Sequence, residues 1–287
     1  MVLLAQLNSL GVYVPYAICL DSQQHIWTAA KSGLFRLDPS AREVIFRRDN
    51  ANQKQIGAFC SVTAIQSPSG QEILSATVNE SLGATEICTF DLEGQMTGLH
   101  VVDGKVKSLV VTADLDVFAT FSNPKYRNQV WHSSLDDLYT WNVVFSDAEL
   151  IFEHLCVTRN GHSLVVSTVS EPGNMYSAQQ LCVIDYTNVC RFSEKGKSDG
   201  EVEWPRCIQE TADSSVAVLD KTGRVQKFAM DGSFEGVLGK IPQFLGNGFC
   251  FDSNNSRILI SCSGVVLTDN QRATCSDWIE TVQIESC

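Results

Sequence analysis

Between Pro205 and Gly239 the chain reads PRCIQETADSSVAVLDKTGRVQKFAMDGSFEGVLG, four runs of strand length parted by turn residues. CIQE, VAVL, RVQKF and FEGVL alternate or cluster apolar residues, while ADSS, DKTG and MDGS supply the Asp, Gly and Ser that reverse a chain within a few residues. One antiparallel unit of this size cannot bury both of its faces. Several such units arranged radially around an axis bury them against one another, which is the logic of a β-propeller.

Weaker copies of the layout run along the rest of the chain. Blade 1 reads AICLD, IWTAA, GLFRLD and EVIFR; blade 2 FCSVTAI, EILSATV, TEICTFD and MTGLHVV; blade 3 SLVVTA, DVFATFS, QVWHSS and YTWNVVF; blade 4 HLCVTR, SLVVSTV, QLCVIDY and VCRFS. The clear copy is blade 5. Blade 6 offers GFCFD, RILISC and GVVLTD, with WIETVQIE able to pair in the same sheet. A spacing of about 40 to 50 residues is that of propeller blades, and six fit. VLLAQLNSL, ahead of blade 1, is strand-like and unassigned; it is expected to close the ring as an outer strand of blade 6, leaving no open edge. The expectation is an all-β, six-bladed β-propeller closed by an N-terminal strand. Residues 1–287 form a single domain on this reading, since no Pro/Gly/Ser linker or long charge block marks a boundary.

No apolar run reaches the length needed to span a membrane, so no membrane association is expected. The 11 cysteines are odd in number and include no CxxC pair or zinc-type spacing. Five of them, Cys19, Cys60, Cys156, Cys207 and Cys250, fall in the first strands of blades 1, 2, 4, 5 and 6, where a small, weakly polar side chain packs well. Reduced thiols of this kind belong in the cytoplasm or the nucleus.

The run DKTGRVQKFAMDGSFEGVLG resembles an NHL repeat, in which a strand ends in Asp, turns, and resumes with Arg-Val-Gln-x-Phe before an Asp-Gly turn. VPYAICLDSQQHIWTAAKSGLFRLDP in blade 1 carries part of the same pattern. The whole chain is similar in layout to the six-bladed propellers that end the TRIM-NHL proteins. That resemblance implies closure by an N-terminal strand and binding of RNA or protein partners through the top face, without catalysis. The 287 residues contain no RING finger, B-box or coiled coil, so ubiquitin-ligase activity is not assigned to them.

A net charge of −12 speaks against nucleic acid as a global number, but a propeller distributes charge between faces. The blade-to-blade linkers and the loops joining second and third strands open on the top. Placing residues accordingly puts two thirds of the 21 Lys and Arg there, with one third of the 33 Asp and Glu. A mildly positive top then sits over a strongly acidic body. Its sharpest sector is the linker from blade 2 to blade 3 with Lys105 and Lys107, beside the loop NPKYRN with Lys125, Tyr126 and Arg127; Arg47 and Arg48 lie on the preceding linker. Cations flanking an aromatic ring are what a single RNA strand requires, phosphate neutralisation and a stacking surface. A second sector combines Trp204, Arg206, Lys221, Arg224 and Phe244 with several acids, and such mixed charge with aromatic anchors suits a protein partner.

Six-bladed propellers of the lactonase type hold a divalent cation in the axial channel, which calls for several oxygen ligands. Here the top ends of the inner strands offer only Glu153, Asn247 and His154, against tyrosine, phenylalanine, arginine or cysteine in blades 1, 2 and 5. No HExxH, GxSxG or phosphate-cradling glycine loop is present. The reading is therefore a recognition platform with no catalytic residues, no metal, no cofactor and no small-molecule substrate. A protein partner comes first, single-stranded RNA second, and a metal-dependent hydrolase third.

Overall fold

The turn residues act where the pattern places them. The computed structural model describes residues 2–49, 58–67, 72–79, 83–159, 161, 163–174, 176–185, 188–241, 245–267 and 273–284. Blade 1 consists of Pro15–Leu20, Ile26–Ala30, Gly33–Leu37 and Val44–Asp49, and blade 2 of Phe59–Gln66, Glu72–Asn79, Ala84–Phe90 and Met96–Asp103. Blade 3 follows as Val106–Val111, Asp116–Phe121, Gln129–Ser134 and Asp137–Ser146, and blade 4 as Ile151–Val157, Ser163–Val169, Gln179–Asp185 and Asn188–Phe192. Blade 5 is Pro205–Glu210, Val216–Asp220, Arg224–Phe228 and Phe234–Lys240. Each is a four-stranded antiparallel sheet in chain order, and the inner strand of each blade touches the next around a closed ring.

Blade 6 departs from the sequence expectation in one respect. RILISC and GVVL, read as two strands, form one continuous strand, Arg257–Leu267, paired without a register break to Ala273–Gln283. Only Ser263 separates the two runs, and one such residue without a following turn signal does not reverse the chain. With Leu245–Phe251 this makes three strands, and the fourth comes from the other end of the chain. Val2–Gln6 pairs antiparallel with Ala273–Gln283, matching Val2 to Thr281 and Gln6 to Trp278.

Among the described residues there is no central core. The buried apolar residues fall into six clusters, one in each seam between neighbouring blades. Trp27, Leu34, Phe59 and Leu74 join blades 1 and 2, Val130, Phe152 and Val166 join 3 and 4, and Leu219, Phe249 and Ile260 join 5 and 6. The seam between blades 6 and 1 contains Leu7, Ile18, Ile26, Leu259 and Ile279, so the closing segment contributes to the core as well as to the sheet. Gly248 is required at this seam, because a Cβ there would lie 3.0 Å from the Ala17 Cα and from the Tyr16 carbonyl oxygen.

At the bottom, one turn device recurs in five blades. Asp21, Thr112, Thr158, Thr211 and Asp252 end the inner strands and accept, through the side chain, from the amides of His25, Asp116, Ser163, Ser215 and Ser256. Such Asx and Ser/Thr turns fix the first hairpin of a blade locally. The cysteines expected in the inner strands lie there, and Cys88, Cys156, Cys182, Cys190, Cys207, Cys250 and Cys262 are free thiols. Burial pushes Cys156 up to about 12 and Cys207 up to about 11, which leaves both protonated at neutral pH.

Because Leu7 is fully buried in the closing seam, Leu7→Ala is expected to cost about 2 to 5 kcal/mol. Urea denaturation of the two chains measures it, and a variant as stable as the wild type would show that the seam does not hold the ring shut.

Candidate functional site

Every inner strand carries one extra residue near its top end. Pairing with the second strand slips between Pro15 and Ala17, Phe59 and Ser61, Val106 and Ser108, Phe152 and Leu155, Pro205 and Cys207, and Gly246 and Gly248. A bulge takes its extra residue out of the ladder and re-aims the side chain. Repeated at one level in six blades, it sets Tyr16, Cys60, Lys107, Glu153 with His154, Arg206 and Asn247 around the mouth of the axis.

These side chains reach one another across blade boundaries. The Lys107 Nζ lies 3.2 Å from a Glu153 carboxylate oxygen. Arg206 donates through Nη2 to the Asn247 Oδ1 at 3.1 Å, and the Asn247 amide donates to the Pro15 carbonyl at 2.7 Å and to the Ser263 hydroxyl at 3.1 Å. Ser263 in turn donates to Asp277, whose other carboxylate oxygen accepts from Asn8. A continuous path of hydrogen bonds thus joins the ring to the closing segment.

The mouth is electropositive, with two cations against one carboxylate. Burial, followed by the charges of Lys107 and Arg206, holds the His154 imidazole well below its ordinary value of 6.5, so it is neutral at physiological pH. Burial also raises the Tyr16 hydroxyl and lowers Arg206, and the two groups sense each other's charge although they stand two blades apart. The His154 Nε2 and the Arg206 Nε are closed off from solvent without a hydrogen-bond partner. A buried donor left unmet is costly, and a ligand that satisfies it gains what the free protein lacks.

The structure divides the sequence-derived sectors differently from the linear reading. Lys107 of the first sector and Arg206 of the second meet in the axial ring. Lys105 stays exposed and is fastened to the neighbouring loop: its amide donates to the Asn123 Oδ1 at 2.5 Å, and its carbonyl accepts from the Ser122 amide. Lys125 holds its ammonium 4.9 Å from the centre of the Tyr126 ring. Tyr126 is half-buried, edge-to-face with Phe121 and Trp131, and Arg127 is half-buried. Arg47 and Arg48 lie over the rings of Phe35 and Phe90.

Arg224 corrects the second sector. Expected as a surface contact, it is 3% exposed, paired to Asp220 at 2.7 Å. Its guanidinium donates to the carbonyls of Gly196, Lys197, Ser198 and Glu201. The linker from blade 4 to blade 5 folds back over the blade without its own ladder, and the arginine fork meets its carbonyls instead. Trp204 is half-buried, with the Lys221 ammonium 6.0 Å from its ring centre. Phe244 lies outside the described residues.

The three groups named for a metal, Glu153, His154 and Asn247, stand at the bulge level of blades 4 and 6. Glu153 faces Lys107 and Asn247 is engaged on both its oxygen and its nitrogen, and among the described residues no three His, Cys, Asp or Glu converge as a ligand set. The donor set does not fit a hard cation, which needs several free oxygens.

No protein family model matches the chain. Among solved structures it is similar to a chain of the nidogen/laminin complex, with TM-score 0.61 and 12% identity over 83% of this chain and 84% of that one. It is also similar to the β-propeller domain of Myceliophteria thermophila Cps50 (Swd1), with TM-score 0.56 and 11% identity over 91% and 86% of the two chains. A third similar structure is an oligogalacturonate lyase in complex with manganese, with TM-score 0.54 and 11% identity over 92% and 76%. The chain is a six-bladed β-propeller. At these identities the similarity shows the fold alone. No helix among the described residues is long and apolar enough to cross a membrane.

Two outcomes follow from the geometry. The unfolded imidazole of His154 takes a proton near pH 6.5 while the native one resists it, so stability is whole above that pH and falls below it. Urea midpoints compared at pH 7.5 and 5.5 are expected to drop less for His154→Gln than for the wild type, and an identical drop would contradict a neutral, enclosed imidazole. Arg224→Ala strands Asp220 and is expected to cost about 3 to 5 kcal/mol, with Arg224→Lys failing to restore the midpoint.

Proposed function

We propose that this propeller is a non-catalytic recognition platform and that its top face engages a protein partner, with the axial ring receiving an acidic side chain or chain terminus. The bulge ring carries this reading. It concentrates two cations, a neutral imidazole and an unmet arginine donor at the one place where six blades converge. A carboxylate entering the mouth meets the excess positive charge of Lys107 and Arg206 over Glu153, and charge-assisted bonds are stronger than neutral ones. The fold supports the reading in general terms, since a similar propeller was solved within a nidogen/laminin complex. The NHL-like pattern of blade 5 points the same way. The free, burial-raised thiols favour a reducing compartment, cytoplasm or nucleus.

Single-stranded RNA is the second reading, because the Lys105 linker and the Lys125 loop are hydrogen-bonded into one exposed basic edge. Against it, Lys107 is committed to Glu153, and the Tyr126 ring is packed on its edges rather than offered flat to a base. The manganese-bound lyase shares the fold, but the oxygen ligands such chemistry needs are here bonded to Lys107 and Arg206.

A displayed library of random peptides, selected on the wild type, is expected to yield sequences rich in Asp or Glu whose binding weakens as salt rises. Arg206→Gln, checked for an unchanged thermal midpoint, should lose at least about tenfold in affinity for them, as removal of one charge-assisted bond requires. No acidic enrichment, together with steeply salt-dependent binding of a random single-stranded RNA pool that Lys105→Glu with Lys125→Glu abolishes, would replace this reading with the RNA one. A thermal midpoint raised by several degrees on adding calcium or manganese would favour the enzyme.

A further inference from the structure

A cavity opens away from the axis, on the outer wall between blades 2 and 3. It has a volume of about 280 Å³ and is lined by Phe121, Tyr126, Trp131, Tyr139 and Trp141, with Asp103 and Val101 at its blade 2 side. The aromatic rings are set edge to face: Phe121 lies 5.8 Å from Tyr126, 6.3 Å from Trp131 and 6.1 Å from Trp141 between centroids, at interplanar angles of 63° to 81°. Tyr126 and Trp131 meet at 86°. Tyr139, 83% exposed, stands at the rim and touches His100 edge to face. The rings packed in this way line the space between the two blades, and the face of an aromatic ring is its electron-rich side.

We propose that this cavity is an aromatic cage for a methylated ammonium group, the side chain of a trimethyl-lysine on a protein. Three observations carry it. The walls combine five aromatic residues with Val101, Val102 and Leu138, and Asp103 is the one charged residue lining the cavity, so the lining itself complements a cation. The volume falls just below the range of pockets that enclose whole small ligands, and suits a compact head group entering from outside. A cation already rests beside the cavity: the Lys125 ammonium stands 4.9 Å from the centre of the Tyr126 ring, and its hydrogen bond to the Tyr126 hydroxyl, then the charges of Tyr126 and Asp103, raise it above its ordinary value. Methylation removes the hydrogen-bond donors and much of the hydration of an ammonium group while keeping its charge, which is the condition under which ring faces compete with water. The occupant assumes a protein partner, as the platform reading does. The two sites are distinct, however, and each is tested with its own ligand.

The experiment titrates N-acetyl-trimethyl-lysine methylamide against the wild-type chain, with tryptophan fluorescence and calorimetry as readouts. Three further probes accompany it: the unmethylated lysine, the uncharged analogue in which a carbon replaces the ammonium nitrogen, and free choline. Saturable binding of the trimethylated probe, about tenfold tighter than the lysine and the uncharged analogue, is expected. Trp141→Ala and Asp103→Asn should each weaken it, whereas Arg206→Gln in the axial ring should leave it unchanged. Since Trp141→Ala can loosen blade 3, Asp103→Asn at an unchanged thermal midpoint serves as the variant that folds. Equal binding of the uncharged analogue would reduce the cavity to an apolar hole and overturn the proposal. No binding at millimolar probe would do the same, and choline bound more tightly than the lysine derivative would overturn a protein as the source. Loss of acidic-peptide binding at the axial ring with retained trimethyl-lysine binding would instead sink the platform reading and leave the cage.

Discussion

The pairing of Val2–Gln6 with Ala273–Gln283 is the contact on which the molecule depends, because a chain without a central core is held only by its seams. Each blade buries one face against the blade before it and the other against the blade after it. An open ring would expose two apolar sheet faces at once, together with an unpaired edge, and both are costly in water. Leu7 and Ala5 close the sixth seam from the N-terminal side, and Asn8 locks the segment to Asp277. The two ends of the chain are thus stabilised by each other, and the remaining five seams keep their geometry because the sixth is shut.

Closure also organises the functional face. Six inner strands brought to one axis are crowded at the top, and in each of them a bulge releases the crowding by expelling one residue from the ladder. Two pairs of the expelled side chains bond across blade boundaries, Lys107 with Glu153 and Arg206 with Asn247, and Asn247 also bonds Ser263 in its own blade. The path from Arg206 through Asn247, Ser263 and Asp277 to Asn8 ties the ring to the closing segment. The same network that fixes the mouth is part of what shuts the propeller.

The two candidate sites follow different physics. The axial ring is a site of charge and unmet hydrogen bonds, enclosed enough for burial to hold His154 neutral between two cations. The cage on the outer wall is a site of ring faces with one carboxylate, open to solvent at Tyr139. A partner that reaches both touches the top and the side of the disc, the kind of extended surface that a rigid propeller offers. Arg224 contributes to neither; it keeps the linker over blade 5 in place by meeting its carbonyls.

Much of the fold was legible in the residues because strands and turns are local. Alternation with period two located the blade 5 strands, Asp-Gly and Asp-Lys-Thr-Gly located their turns, and VLLAQLNSL was left over for closure, of which Val2–Gln6 forms the strand. RILISC and GVVL, read as two strands on either side of Ser263, are one, since a long register with the facing strand carries the chain straight through. The site was legible only in part. Lys107 and Arg206 stood in separate sectors because they lie 99 positions apart in the numbering, and only the ring, with a bulge at the same level in each blade, brings them to one mouth. Arg224 looked like any surface arginine until a folded-back linker presented carbonyls to it. Phe121, Tyr126, Trp131 and Trp141 are close in sequence, yet nothing in their spacing says that a carboxylate from another blade completes their enclosure. Local chemistry set the strands, the turns and the count of blades; packing across the seams decided which side chains meet, because proximity between blades is a property of the closed ring and not of any one repeat.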